Sequence, residues 1–358
     1  MTAHDHQIDQ DEETESSGSG LGSYLPRWRP TSSTDLGLAE KRVLKFVQTP
    51  LKLYNTATTF GKVWTLRTNN EVPENKVPLV MLHGMGAGIG IWVLNLDTIA
   101  KGRRVYALDL LGFGRSSRPH FPSSVEGVED QYMSSIEQWR SANNLTRFTL
   151  LGHSFGGYLA TLYAKKYPQH IAHLVLADPW GFTQMPEEKM QIPLRWKLVI
   201  NVLKPFNIFS GLRAAGPLGP RLVNKMRPDL QVKFTKHVKD VDAVPNYIYH
   251  CNAQNPSGEV AFKSLHLEMG YAQSPLIDRI SDLDRDIPVT MIYGAQSWMD
   301  PTNGYRVQEM REGMAPVAVE LILNAGHHVY ADDPERFNSL LSEACSMYES
   351  ADTSSSIQ

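Results

Sequence analysis

The chain has 358 residues, 42% hydrophobic and 20% charged, enough apolar material for a sizeable core and unlike a disordered composition. One α/β core carrying an insertion accounts for the length. A formal net charge of −3 with a pI near 6.5 provides no global basic field, which excludes nucleic acid as the expected partner.

The opening stretch "MTAHDHQIDQDEETESSGSG" is acidic, with no positive n-region and no apolar h-region, so no secretory signal is expected. Residues 1–23 read as a flexible acidic tail. The segment 24–58 is aromatic and basic at first, "YLPRWRPTSSTD", then helical: a Ser/Thr/Asp cluster supplies N-caps for an amphipathic helix beginning near Asp35. Short β-branched runs follow, "GKVWTLR", "PLVMLH", "RVYALDL", "FTLLGH" and "AHLVLAD", then "IPVTMIYG" and "AVELIL". Several are apolar throughout, as strands buried on both faces of a parallel sheet are. Alternation with helical text predicts a doubly wound, mostly parallel α/β fold.

The rhythm stops between about Gly181 and Asp286 and then resumes. The expected organisation is therefore a core in two parts, 59–180 and 286–348, a helical cap inserted at 181–285, and a flexible tail at 349–358. No run approaches the roughly 18 apolar residues that span a bilayer. The two cysteines, Cys251 and Cys345, form neither a disulfide framework nor a C-x-x-C site, so a reducing compartment is expected, with no metal and no cofactor.

The strongest local signal is "LLGHSFGGYLA", a G-x-S-x-G from Gly152 to Gly156 between a predicted strand and a predicted helix. The flanking glycines Gly152 and Gly156 permit the strained turn that lifts a serine hydroxyl clear of the backbone, making Ser154 the candidate nucleophile. Such a serine needs a base oriented by a carboxylate, in chain order Ser, acid, His. His327, directly after Gly326 at the end of the last predicted strand, is the expected base, with its neighbour His328 the alternative. Asp300, in the loop after the penultimate strand, is the expected acid, and Asp178 in "LADPW" is the other candidate. The amides of Met85, in "LHGMGAGIGIW", and of Phe155 are the expected oxyanion donors. The loop "DLLGFGRSS" reads as a structural turn, with Gly112 and Gly114 in it.

The stretch "NAGHHVYADDP" also contains an H-x-x-x-x-D box, His327 to Asp332, a spacing associated with acyl transfer. Because Ser154 already requires a base, the simpler reading gives His327 to a triad and leaves Asp332 to cap the helix "PERFNSLLSEACSMY".

With the elbow, the HG-x-G loop and the Gly-His box in place, the chain resembles the α/β-hydrolase superfamily, and within it the animal α/β-hydrolase-domain proteins four and five. "LPRWRPTS", "DLLGFGRSSRP", "DPWGF", "AGPLGP", "NYIYHCNAQNPSGEVAFK" and "GHHVYADDP" carry that resemblance. It implies either an N-acyl phosphatidylethanolamine and lysophospholipid lipase, or the lipid-droplet coactivator of adipose triglyceride lipase. The latter branch is also assigned lysophosphatidic acid acyltransferase activity through H-x-x-x-x-D. The coactivator branch has asparagine where Ser154 stands and arginine where Gln296 stands, although Gly326 agrees with it, so the resemblance favours the enzyme branch.

The expected function is a serine hydrolase of phospholipid-like esters, with acyl transfer or coactivation of a triglyceride lipase as alternatives. From Met190 to Lys236, nine Lys/Arg, Arg195, Lys197, Lys204 and Arg213 among them, stand against one acid, Asp229. Interleaved with apolar text, they suit a surface facing anionic headgroups, as does Trp28 between Arg27 and Arg29. An ordinary solvated cap face is the competing explanation. The expected location is cytoplasmic, peripheral on membranes or lipid droplets, with mitochondrial association as an option.

Overall fold

The aliphatic and β-branched runs form an eight-stranded sheet in the order β1-β2-β4-β3-β5-β6-β7-β8. The structure is a computed structural model that describes residues 31–73, 76–186, 208–267 and 270–347. The tails at 1–23 and 349–358 lie outside those residues, as do Trp28, Arg195, Lys197 and Lys204.

The strands are β1 (Leu51–Thr58), β2 (Gly61–Thr68), β3 (Leu79–Leu82), β4 (Val105–Leu108), β5 (Phe148–His153), β6 (Ile171–Ala177), β7 (Val289–Gly294) and β8 (Val317–Ile322). β2 runs antiparallel to both β1 and β4, and all other neighbours are parallel. The central strands β3 to β7 are buried along their whole length, whereas edge strand β8 is not. Alternate residues feed the two layers: Val80 and Leu82 pack on one face, Leu79 and Met81 on the other.

Helix α1 (Ser33–Leu44) begins two residues ahead of the expected Asp35, because Ser32 is the N-cap and accepts from the Asp35 amide at 3.0 Å. It buries Leu36, Ala39, Glu40, Val43 and Leu44, one stripe at helical spacing. Strand β1 lies in text expected to belong to the N-terminal segment. It joins β2 through Thr59 and Phe60, a turn without the Asn-Gly or Asp-Gly signal that marks hairpins in sequence.

Helices α2 (Val125–Ala142) and α3 (Phe155–Lys166) cover one face. Between β6 and β7 the described residues carry helices α4 (Ser210–Ala215), α5 (Gly219–Met226), α6 (Pro228–Thr235), α7 (Ala243–Asn252) and α8 (Gly258–Leu265). Helix α9 (Thr302–Met310) follows β7, and the short α10 (Val329–Asp332) and α11 (Pro334–Ser346) follow β8. The N-cap of α11 is Asp333, which accepts from the Arg336 amide, and not the expected Asp332. Asp332 is the last residue of α10, and its carboxylate is used elsewhere.

The stripe of α1 includes an ionisable group. Glu40 is 1% exposed, accepts from the Trp64 indole, and takes the Arg115 Nη1 at 3.1 Å while that guanidinium lies over the Trp64 ring. Burial, with the Asp109 carboxylate nearby, pushes its carboxyl up to about 8. The folded protein therefore holds a proton that the unfolded chain releases, so Glu40 makes stability fall as pH rises from the usual carboxylate range towards about 8. Urea midpoints of the wild type and Glu40→Gln at about pH 5 and about pH 8 measure this, since the variant removes the ionisation. The variant should show the shallower decline, and equal declines would contradict the assignment.

Candidate active site

Ser154 follows β5 and caps α3 with φ 53° and ψ −117°, a left-handed backbone that a serine adopts only under constraint. The constraint is close packing: a Cβ on Gly152 would sit 2.2 Å from the Gly156 carbonyl, and one on Gly156 2.4 Å from that of Leu82. The Ser154 carbonyl is held by the amides of Gly157, Tyr158 and Trp180 at 2.9, 3.2 and 3.1 Å. The elbow thus stands at the C-terminal edge of the sheet, where parallel α/β folds place their sites.

His327 lies in the turn between β8 and α10, with Nε2 3.0 Å from Ser154 Oγ and Nδ1 2.6 Å from Asp178 Oδ2. A carboxylate only accepts, so Nδ1 carries the proton and Nε2 is left to accept from the serine hydroxyl. Asp178 directly follows β6, is fully buried and has φ 45°. Its Oδ1 accepts from the Gly294 amide at 3.1 Å, and Oδ2 also accepts from the Ser297 hydroxyl.

This geometry corrects the expectation for the acid. Asp300 follows β7 as anticipated, but its Oδ1 accepts from the Thr302 amide at 2.9 Å at the start of α9, while His327 Nδ1 is taken by Asp178. The β7 loop contributes Ser297 to Asp178 instead, so the acid comes from one strand earlier.

His328 stays outside the constellation. It is packed between His153 and Tyr330, and burial, then the neighbouring His153 and His327, holds it well below the usual histidine range. His153, the x of the elbow, is likewise buried and kept neutral, and its Nε2 donates to the His327 carbonyl at 2.8 Å. The backbone of His327 is therefore tied to the elbow itself. Nothing local in the sequence marked His153 or Ser297 for these tasks, since each acts across the sheet edge.

The loop containing Met85 runs against the nucleophile, for a Cβ on Gly84 would lie 3.1 Å from Ser154 Cβ. Phe155, as the first residue of α3, has no intrahelical acceptor for its amide. Asp109 secures this loop from below by accepting from the Ile89 and Arg115 amides, both at 2.7 Å, which gives the "DLLGFGRSS" turn its purpose. From the insertion, Asn252 Nδ2 donates to the Gly86 carbonyl at 2.6 Å and the Tyr247 hydroxyl accepts from the Gly90 amide.

Asp332 does not orient His327. Its Oδ2 accepts from the Gly326 amide at 2.9 Å, and its Oδ1 lies 3.0 Å from Lys233 Nζ of α6. Arg213, expected on a lipid-facing surface, turns inward: it pairs with Glu259 and donates to the Asn252 and Gln254 carbonyls, because these satisfy its planar donors inside the insertion.

A family model of the alpha/beta hydrolase fold matches residues 77–334. The chain belongs to this family. A 1-acylglycerol-3-phosphate O-acyltransferase ABHD5 of Sus scrofa is 45% identical over 349 residues, 96% of this chain and 99% of that protein. A (lyso)-N-acylphosphatidylethanolamine lipase of Mus musculus is 45% identical over 329 residues, 91% of this chain and 95% of that protein. Both subfamily branches expected from the motifs are therefore relatives of this α/β hydrolase. Among solved structures, a putative hydrolase from Bacillus subtilis superposes with a TM-score of 0.61 at 17% identity, covering 86% of this chain and 97% of that one, a likeness of fold.

The geometry ranks the two aspartates. On a p-nitrophenyl ester, Asp178→Asn should lower kcat by about ten-thousand-fold, as loss of the orienting carboxylate does in a serine triad. If Asp300→Asn were the more damaging substitution, the ranking would be wrong.

Proposed function

We propose that this α/β hydrolase deacylates phospholipid-like esters, of lysophospholipid and N-acyl phosphatidylethanolamine type, through an acyl-enzyme on Ser154. The observation that carries the reading is the unbroken relay from Ser154 Oγ through His327 to buried Asp178, at 3.0 and 2.6 Å. Ser154 Oγ attacks the ester carbonyl while His327 Nε2 takes its proton. The amides of Met85 and Phe155 donate hydrogen bonds to the oxyanion, and His327 returns the proton to the leaving alcohol. Asp178 holds the imidazole in the required tautomer and balances its charge when protonated.

A lysophospholipid is drawn from a lipid surface, and the insertion offers features that suit one. Ile208, Leu218, Met226 and Val232 are all more than half exposed, and Arg221 and Lys225 lie among them in the chain. Peripheral attachment to a membrane or lipid droplet in the cytoplasm is part of the proposal. Among the described residues no helix is long and apolar enough to cross a membrane.

Labelling by a fluorophosphonate probe tests the nucleophile. The wild type should label and release fatty acid from lysophosphatidylethanolamine, and Ser154→Ala should do neither. Equal labelling of the two proteins would remove Ser154 from the mechanism. Stimulation of a triglyceride lipase that persists in Ser154→Ala would instead support the coactivator reading, which the resemblance carried by the sequence motifs motivates.

Acyl transfer is the second reading, and the contacts of Asp332 bear on it. Because Asp332 supports the Gly326 amide and pairs with Lys233, any transferase activity should require Ser154 and not an independent H-x-x-x-x-D base. Asp332→Asn keeps an acceptor for Gly326 but loses the ion pair, so it should reduce hydrolysis and transfer to lysophosphatidic acid by the same factor, roughly tenfold or less. Loss of transfer alone, with hydrolysis intact, would point to a separate site.

A further inference from the structure

A cavity of about 280 Å³ opens between the segments that follow β6 and β7, lined by Trp180, Thr183, Tyr271, Trp298, Met299 and Asp300 among others. Its position relative to the triad is fixed by two contacts. The Trp298 ring stands 5.3 Å from that of His327, and Ser297, the preceding residue, donates to Asp178. Its far wall is rigid: the Trp180 indole donates to the Gly270 carbonyl at 2.6 Å and packs on Phe262 and Tyr158.

Reaction stereochemistry says what this space receives. In acyl-enzyme formation the bond between the acyl carbon and the leaving oxygen breaks, and that oxygen takes its proton from His327 Nε2. The leaving alcohol must therefore lie on the histidine side of the nucleophile, while the acyl chain stays with Ser154. When the ester is a lysophospholipid, the leaving alcohol is the glycerophospho headgroup. The space beside His327 then belongs to the headgroup and not to the fatty acid.

The cavity's chemistry narrows the headgroup. Among the described residues Asp300 is the one charged residue lining it, and its Oδ1 accepts from the Thr302 amide. A carboxylate repels a terminal phosphate and accepts from N–H groups. The rings of Trp180, Tyr271 and Trp298 in the lining attract a cation of either kind, trimethylammonium included, so the choice between headgroups falls to the hydrogen bond that the Asp300 carboxylate accepts.

We propose that this cavity holds the leaving headgroup, and that Asp300 selects headgroups whose nitrogen carries an N–H, as ethanolamine and its N-acyl amide do. The proposal rests on the hydrolase reading for the identity of the leaving group, and its test is a binding measurement on uncleaved lipid. Titration calorimetry on the full Ser154→Ala chain would compare four lysophospholipids with one short acyl chain: the ethanolamine form, its N-acetyl derivative, the choline form and lysophosphatidic acid.

The ethanolamine and N-acetyl forms should bind about tenfold more tightly than the other two, the size expected for a hydrogen bond to a charged acceptor. The order between those two tells whether an ammonium or an amide is read, and either order supports the site. Adding Asp300→Ala should abolish the preference and Asp300→Glu should keep most of it. Asp300→Ser, which retains an acceptor for the Thr302 amide, should match Asp300→Ala and so separates loss of the site from loss of the fold. Choline or phosphate forms binding as tightly, or a preference that survives both Asp300→Ala and Asp300→Ser, would overturn the assignment. The predicted binding pattern without Ser154-dependent turnover would overturn the hydrolase reading alone, and turnover without the pattern would overturn the headgroup site alone.

Discussion

The site depends on one buried carboxylate. Asp178 has no solvent contact, and a charge in that position is tolerable only if donors surround it. The donors come from three places in the chain: the Gly294 amide ending β7, the Ser297 hydroxyl beyond it, and His327 after β8. Its own amide bonds to the Ile292 carbonyl of β7 at 2.7 Å. Satisfying Asp178 therefore fixes the ends of β6, β7 and β8 relative to one another, and the base is oriented as a consequence of electrostatics that the fold needs anyway.

The nucleophile is tied into the same arrangement. Trp180, two residues after Asp178, donates its amide to the Ser154 carbonyl, and the Ser154 amide donates to Ala177, one residue before Asp178. Ser154 and Asp178 both adopt positive φ, and each stabilises the other's segment. Strain of this kind persists where the surroundings over-determine it, and here the surroundings are the adjacent ends of β5 and β6. His153 closes the loop by holding the His327 carbonyl, so an elbow residue positions the base from the main-chain side while Asp178 does so from the side chain.

What could be read from the sequence follows the range of each interaction. The elbow is encoded within five residues, by glycines whose absent side chains allow the turn, and both Ser154 and the strand before it were legible. The parallel strands were legible because burial on two faces leaves continuous apolar runs. β1 was not, since a strand paired at a sheet edge through a Thr-Phe turn looks like ordinary half-polar text. The sequence pointed to Asp300 and the geometry to Asp178: both follow strands at the same edge, and only the three-dimensional course of the loops decides which reaches His327 Nδ1. Arg213 misled for a related reason, because composition counts a positive charge without seeing the Glu259 carboxylate opposite it.

The two names carried by the relatives, a lipase and an acyltransferase, do not require two sites. In the proposed mechanism the acyl-enzyme on Ser154 is resolved by whatever hydroxyl His327 can deprotonate, and by microscopic reversibility that hydroxyl arrives along the path by which the leaving alcohol departed. Under the proposed mechanism, water and a lysophospholipid acceptor compete for one approach, beside Trp298, and the outcome is set by how well that approach retains an alcohol against water. Asp332 takes part only through the turn that carries His327, where it joins the Gly326 amide to Lys233 of the insertion. The H-x-x-x-x-D spacing is then the sequence trace of a strut between the insertion and the catalytic turn, and the balance between hydrolysis and transfer belongs to the space in front of the histidine.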